Sequence, residues 1–259
     1  MPLSSNQKQQ IKGLLQQKIE SKLKRYSRET TSMPFLTRLI QDSEKVAAYS
    51  FIHSLATTLG MSIYEDVSKI IASDSAKECF TKYDIGGVLS KEQKSIIGNI
   101  VRELRNKERR VNSEREMKEV LSASPRDGKA QKEGRIADLY ILKGGVEHYF
   151  EIKTVKPNID VFTKSKTKLL EWIARRRKPV KVFLSFPYNP YHPKPYERFT
   201  EQGVLERGKE FLIGEEYWNF LGGEDTFEQL LTLFDSVGKE FKEKIQQKIK
   251  QVAEEKMDV

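Results

Sequence analysis

The chain changes its hydrophobic rhythm about halfway along. In the first part, apolar residues recur every three or four positions, the spacing that gathers them on one face of a helix. "NQKQQIKGLLQQKIESKLKRY" sets Ile11, Leu14, Leu15 and Ile19 at such intervals with Lys and Gln between them, which predicts a helix. A second helical stretch is predicted from about Ser43 to Ala72, bent or broken near Gly60. "SKEQKSIIGNIVRELRNKERR" opens with a capping box, Ser90 with Gln93, and places Ile96, Ile100 and Leu104 on one face. Ser113 and Glu116 repeat that box ahead of a shorter helix. Residues 122–134 are polar and marked by Pro and Gly, so they read as a loop.

Beyond that loop the period shortens. "RIADLYIL" and "VEHYFEIKTV" are rich in β-branched and aromatic residues and are separated by "KGG", a hairpin signal. "TKSKTKLLEWIARRRK" returns to helical spacing through Leu169, Leu170 and Ile173, and "PVKVFLSF" is then a compact strand. The order strand, strand, helix, strand makes this half α/β or α+β. "PYNPYHPKPYER" has too many prolines for a regular element, and helical segments close the chain. With no internal repeat and no linker, a single domain over 1–259 is expected. It would comprise a mainly helical region 1–125, a core and recognition region 130–238, and a charged helical tail 239–259.

Composition narrows the function classes. In 259 residues the hydrophobic fraction is 37%, enough to build a core. Lys and Arg outnumber Asp and Glu by 46 to 37, and an excess of that size points to a polyanionic partner, nucleic acid being the commonest. The lone cysteine, Cys79, rules out an internal disulfide and a cysteine metal cluster. His53, His148 and His192 lie far apart without zinc-ligand spacing. The first residues are too polar for a signal peptide and no apolar run reaches membrane-spanning length, so a cytoplasmic protein is expected.

The candidate chemistry lies in the hairpin. Glu-x-Lys occurs six times, but only at Glu151 does it fall within a β-rich run. Alternate residues of a strand share a face, so Glu151 and Lys153 point one way and Ile152 the other, toward the core. Two charges on a half-buried strand need a partner. The turn at Gly144-Gly145 brings the preceding strand alongside and lets Asp138 approach Glu151. Carboxylates held close repel unless a cation sits between them. Mg²⁺ suits such a site, since it takes oxygen ligands and binds through one or two carboxylates plus substrate phosphate. Lys153 beside it would orient a water or stabilise charge developing on a phosphate. The same residues also fit a plain salt bridge from Lys153 to Asp138 or Glu151, and both readings stand open on the hairpin alone.

Asp138, the hairpin, "EIK" at 151–153, a helix and an apolar strand together resemble the core of the PD-(D/E)xK nuclease superfamily. Ala137 stands where the motif's Pro would be, which leaves Asp127 in "SPRDG" as a second candidate for the first carboxylate. "LATTLGMSIYEDVSKIIA" is similar to the helix that precedes the core in many type II restriction endonucleases. The segment from "KVFLSF" to "NFLGG" resembles restriction enzymes that cut short GC-rich palindromes, and the likeness runs from roughly Ser43 to Gly238.

The resemblance implies a restriction-endonuclease-like core, a mixed central sheet flanked by helices, with a largely helical N-terminal half. It implies a Mg²⁺-dependent type II restriction endonuclease that hydrolyses double-stranded DNA to 5′-phosphate and 3′-hydroxyl ends. The enzyme would be a homodimer, paired with a DNA methyltransferase acting on the same site. Asp138, Glu151 and the backbone carbonyl of Ile152 would hold the metal, Lys153 would position or deprotonate a water, and Glu65 would hold a water at the metal or a second ion. A structure-specific repair or junction-resolving nuclease, and a non-catalytic DNA-binding protein on the same scaffold, are the alternatives.

For binding, the helix after the hairpin carries Lys164, Lys166 and Lys168, then Arg175, Arg176, Arg177 and Lys178. Lys166 and Lys168 lie nearest the site in sequence and are the first candidates for phosphate contacts, which give affinity and salt dependence. Asn189, His192, Lys194 and Arg198 on the Pro-rich loop carry the side-chain types that read base edges. A solvated helix face and a loop packed by its own tyrosines are the plain alternatives.

Overall fold

A computed structural model of the chain describes residues 3–26, 33–153, 158–196 and 203–254. In chain order the first elements are α1 (Ser5–Arg25), α2 (Pro34–Ile40), α3 (Ser43–Thr58), α4 (Tyr64–Ser73) and β1 (Glu78–Asp84). Next come α5 (Lys91–Arg105), α6 (Ser113–Ser122), β2 (Ile136–Lys143), β3 (Val146–Ile152) and α7 (Ile159–Arg176). The last are β4 (Lys181–Phe186), β5 (Phe211–Ile213), α8 (Glu215–Gly222) and α9 (Thr226–Glu254). They form two compact units, one spanning Ser68–Phe227 and the other combining Pro2–Val67 with Glu228–Val259. The change of period near residue 125 lies inside the first of these.

The second unit is helical. Ser4 and Gln7 form a capping box for α1, and Asp42 caps α3 by accepting from the Lys45 amide at 3.0 Å. The break predicted near Gly60 is a π-helical turn, Leu59–Ile63, between α3 and α4. Tyr26, Ala47, Phe51, Val252 and Ala253 form a core from opposite ends of the sequence. The Tyr26 ring stands edge-on to Phe51 and its hydroxyl hydrogen-bonds Ser50 Oγ at 2.6 Å. The last two predicted helical segments are one helix, α9, which runs through Gly238 unbroken.

The first unit is built on a five-stranded sheet in the order β1-β2-β3-β4-β5. β1, β2 and β3 are antiparallel neighbours; β3, β4 and β5 run parallel, with α7 crossing over from β3 to β4. Tyr140 pairs with Tyr149 and Leu139 with Phe150, so the alternation assigns each face a partner. On one face Tyr83, Tyr140 and Tyr149 stack and meet Trp172 of α7. On the other, Phe150 and Phe183 lie under Tyr217 and Phe220 of α8.

The structure departs from the sequence reading at several points. β1 lies in the part that read as helical: "ECFTKYD" alternates exposed and half-buried residues and offers no clear apolar face. β5 is only three residues long. The Ser90–Gln93 box is present, but the one at Ser113 is displaced by a residue. There Asn112 caps α6 by accepting from Arg115 N at 2.9 Å, and Glu116 accepts from Asn112 N at 2.9 Å. Ser113 turns its hydroxyl to Glu206 instead, at 2.8 Å. α5 buries Ile97 with Ile100 and Leu104, while Ile96 packs at the margin. Among the described residues no helix is long and apolar enough to cross a membrane.

Candidate active site

The hairpin fixes the two carboxylates. Continuing the register one step beyond Leu139–Phe150 sets Asp138 across from Glu151, on the face that α7 covers. The Ile152 amide donates to Asp138 Oδ2 at 2.7 Å, tying the side chain of β2 to the backbone of β3. Lys153 follows β3 and donates its amide to Ser185 of β4 at 2.9 Å. Its Nζ lies 3.0 Å from Glu151 Oε1; the lysine side chain is 40% exposed and the glutamate 5%, so Lys153 reaches a buried carboxylate from the solvent side. α7 adds Lys168, whose Nζ is 3.3 Å from the same Oε1 and lies 5.1 Å from the centroid of the Trp172 ring.

The surroundings separate two like groups. Burial raises the Asp138 pKa, and the Ile152 amide and Lys168 only partly offset it. Burial acts against the Glu151 charge as well, but Lys168 and Lys153 outweigh it and hold Glu151 below the usual carboxylate range. Glu151 Oε2 is buried and has no hydrogen-bond partner among the described residues. An orphaned carboxylate oxygen beside a second carboxylate fits a divalent-cation ligand, since an anionic acceptor left dry and unpaired is costly. No group of three or more His, Cys, Asp and Glu residues is placed to hold a metal among the described residues. Two carboxylates that backbone, water and phosphate oxygens can supplement make an oxygen-rich site of the kind a hard divalent cation takes.

The remaining candidates fall elsewhere. Asp127 sits in an exposed turn with a left-handed φ of 58°. Glu65 lies in the first turn of α4 and belongs to the helical unit. Lys164 is exposed on α7. Lys166 corrects the expectation: it is fully buried and ion-paired to Glu116 and Glu210, so it is out of reach of a DNA phosphate. Arg175 is also buried, donating to the carbonyls of Gly86, Gly87 and Glu133, while Arg176 and Lys178 both pair with Glu147. His192 and Lys194 are exposed along a cleft of about 230 Å³ after β4, with Arg207 on its wall. Asn189 is spent inside that loop: its amide donates to Lys194 O at 2.8 Å and its oxygen accepts from Tyr191 N at 2.9 Å. Arg198 lies outside the described residues. Lys168 was expected to contact phosphate, and its place beside Glu151 was not foreseen. Its i,i+4 spacing to Trp172 is the one local signal that could have marked it.

A mixed sheet of an antiparallel meander and a parallel crossover, with helices on both faces, is a restriction-endonuclease-like fold. The chain belongs to the family described as "Type II restriction endonuclease, HinfI", which matches residues 3–238. It is 33% identical over 213 residues to the type II restriction enzyme MjaII of Methanocaldococcus jannaschii; the match covers 75% of this chain and 56% of that protein, a little over half its length. It is 29% identical over 242 residues to the type II restriction enzyme HgiEI of Herpetosiphon aurantiacus, covering 91% and 88% of the two chains. HgiCII, a type II restriction enzyme of the same organism, is 29% identical over 227 residues, covering 85% and 82%. No solved structure matches.

Proposed function

We propose that the protein is a Mg²⁺-dependent type II restriction endonuclease that cuts double-stranded DNA at a short GC-rich palindrome. The observation that carries this reading is Asp138 and Glu151 on paired strands, with Lys153 beside them at 3.0 Å from Glu151. Family membership and relatives named as type II restriction enzymes support it. We read the trio as a PD-(D/E)xK centre. The GC-rich palindrome rests on the likeness of the segment after β3 to enzymes of that preference, and a palindrome calls for two copies of the chain about a two-fold axis. A methyltransferase acting on the same site would protect the host.

Asp138, Glu151 and the carbonyl of Ile152 would hold the cation. A divalent ion held by them would supply charge neutralisation at a phosphate and acidify a water. The chain's own residues do the rest. The Ile152 amide fixes Asp138 so that one carboxylate oxygen is committed and the other is left to bind. Lys153, half in solvent and half on Glu151, is the group able to orient a water for in-line attack and to take or return its proton. Lys164 contacts backbone phosphate, and His192 and Lys194 reach base edges from the cleft beyond β4.

The test is digestion of phage DNA in Mg²⁺, beside an EDTA control and Lys153→Ala. Discrete, reproducible fragments that disappear in both controls are expected. Smearing would instead indicate a nuclease without a fixed site. Salt-sensitive retention of DNA without cleavage would indicate a binding protein on the same scaffold.

A further inference from the structure

Glu151 Oε1 is shared by two ammonium groups from different elements, Lys153 at 3.0 Å and Lys168 at 3.3 Å. Both ammonium groups fall on the same carboxylate oxygen, and the hydrolytic scheme uses only Lys153. In the same position the Lys168 ammonium also lies 5.1 Å from the centroid of Trp172, one helical turn further along α7, a contact it could keep without Glu151. The Trp172 indole is itself fixed, donating to the Gly134 carbonyl at 2.7 Å. The helix beneath is fixed as well, because Lys166, two residues earlier, is fully buried between Glu116 and Glu210. Only the head of Lys168, on a flexible four-carbon stem and 24% exposed, has freedom to shift.

We propose that Lys168 is a placeholder cation: it holds Glu151 while the metal is absent, and yields Oε1 to an arriving divalent ion while keeping its contact with the Trp172 face. This rests on the reading of Asp138 and Glu151 as the metal site. A divalent ion on Oε1 would meet an ammonium 3.3 Å from that oxygen, and like charges so close in a partly dry site must separate. Lys168 thus competes with the metal in the resting enzyme, and keeps the carboxylate pair from repelling itself apart before the ion arrives. It is a positioning residue, acting through Glu151.

The experiment is calorimetric titration of Mn²⁺ into the full chain without DNA, for the wild type, Lys168→Met, Lys168→Arg and Glu151→Gln. Lys168→Met is expected to bind Mn²⁺ more tightly, by roughly fivefold or more, because a competing unit charge is gone. Lys168→Arg, which restores a cation over Trp172, is expected to return the affinity to the wild-type level or below it. Mn²⁺ should also change tryptophan fluorescence in the wild type, and this change should be lost in Lys168→Met. A packing defect would weaken binding, so the direction of the change separates the two roles. Equal or weaker binding in Lys168→Met, with Glu151→Gln still abolishing it, overturns the placeholder role and leaves the metal site standing. Mn²⁺ binding that survives in Glu151→Gln overturns the metal site and this role together. Lys168→Gln serves the same comparison should the Met variant fail to fold.

Discussion

Asp138 and Glu151 are chemically near-identical, yet burial raises one while two lysines lower the other. Glu151 is therefore the better-stabilised anion of the two, and a cation shared by the site would favour the Asp138 charge most. Glu151→Gln and Asp138→Asn should each reduce the cleavage rate at saturating Mg²⁺ by roughly 10²-fold or more, the scale of several kcal/mol of lost charge stabilisation. Asp138→Asn should not lower the melting temperature, because burial already works against its charge, whereas Glu151→Gln should lower it by removing the anion that pairs with Lys153 and Lys168. A rate retained in Asp138→Asn would return Asp127 to consideration. Glu147 offers a test of stability against pH. Burial works against its charge, but Arg176, Lys178 and the Tyr149 hydroxyl take it down to about 2 from an ordinary 4.5. A depressed carboxylate stabilises the fold above its unfolded pKa and loses that contribution as pH falls toward the folded one. Melting temperatures should thus fall less steeply between about pH 4.5 and 2 in Glu147→Gln than in the wild type. Equal slopes would show that the ion pairs contribute nothing net.

Elements decide which residues were legible. Strand alternation alone fixed the side on which Asp138, Glu151 and Lys153 stand, since a two-residue period leaves no choice of face. On α7 the choice needed more care. Lys164, Lys166 and Lys168 look alike in sequence, but Lys166 is three and four residues before Leu169 and Leu170 and so shares their buried face. Its charge suggested DNA; its phase placed it in the core. There it holds α7 to Glu116 of α6 and to Glu210 just before β5, where burial pushes Glu210 up while Lys166 pulls it down. Lys166→Met would leave two buried carboxylates without their cation, and urea unfolding should record a loss of about 3–5 kcal/mol. A loss under 1 kcal/mol would mean that the carboxylates simply take up protons. β1 and β5 were illegible for a different reason: one is an edge strand of alternating polarity and the other is too short to carry a period. Lys168 escaped because its partner lies 17 residues away on another element, and its one local signal, the i,i+4 spacing to Trp172, says nothing of Glu151.

At the scale of the whole molecule, the two units combine segments that the sequence keeps apart. Tyr26 and Phe51 meet Val252 and Ala253 in one core, and no periodicity within either segment announces the other. Charge, in contrast, can be apportioned once the units are known. The sheet unit holds 31 of the 46 Lys and Arg and 24 of the 37 Asp and Glu, an excess of seven; the helical unit keeps an excess of two. Counterion release scales with the phosphates neutralised, so the salt dependence of DNA binding should reside in the sheet unit. In a Lys153→Ala background, where DNA stays whole, binding is measured across a salt series. Lys164→Ala and Lys194→Ala should each flatten the slope of log affinity against log salt by about 1. Lys242→Ala and Lys250→Ala, exposed on α9, should leave that slope unchanged. If the α9 variants flatten it as much as the others do, the helical unit also tracks the phosphate backbone. Binding would then follow the local placement of charge along α9 rather than the net excess of the sheet unit.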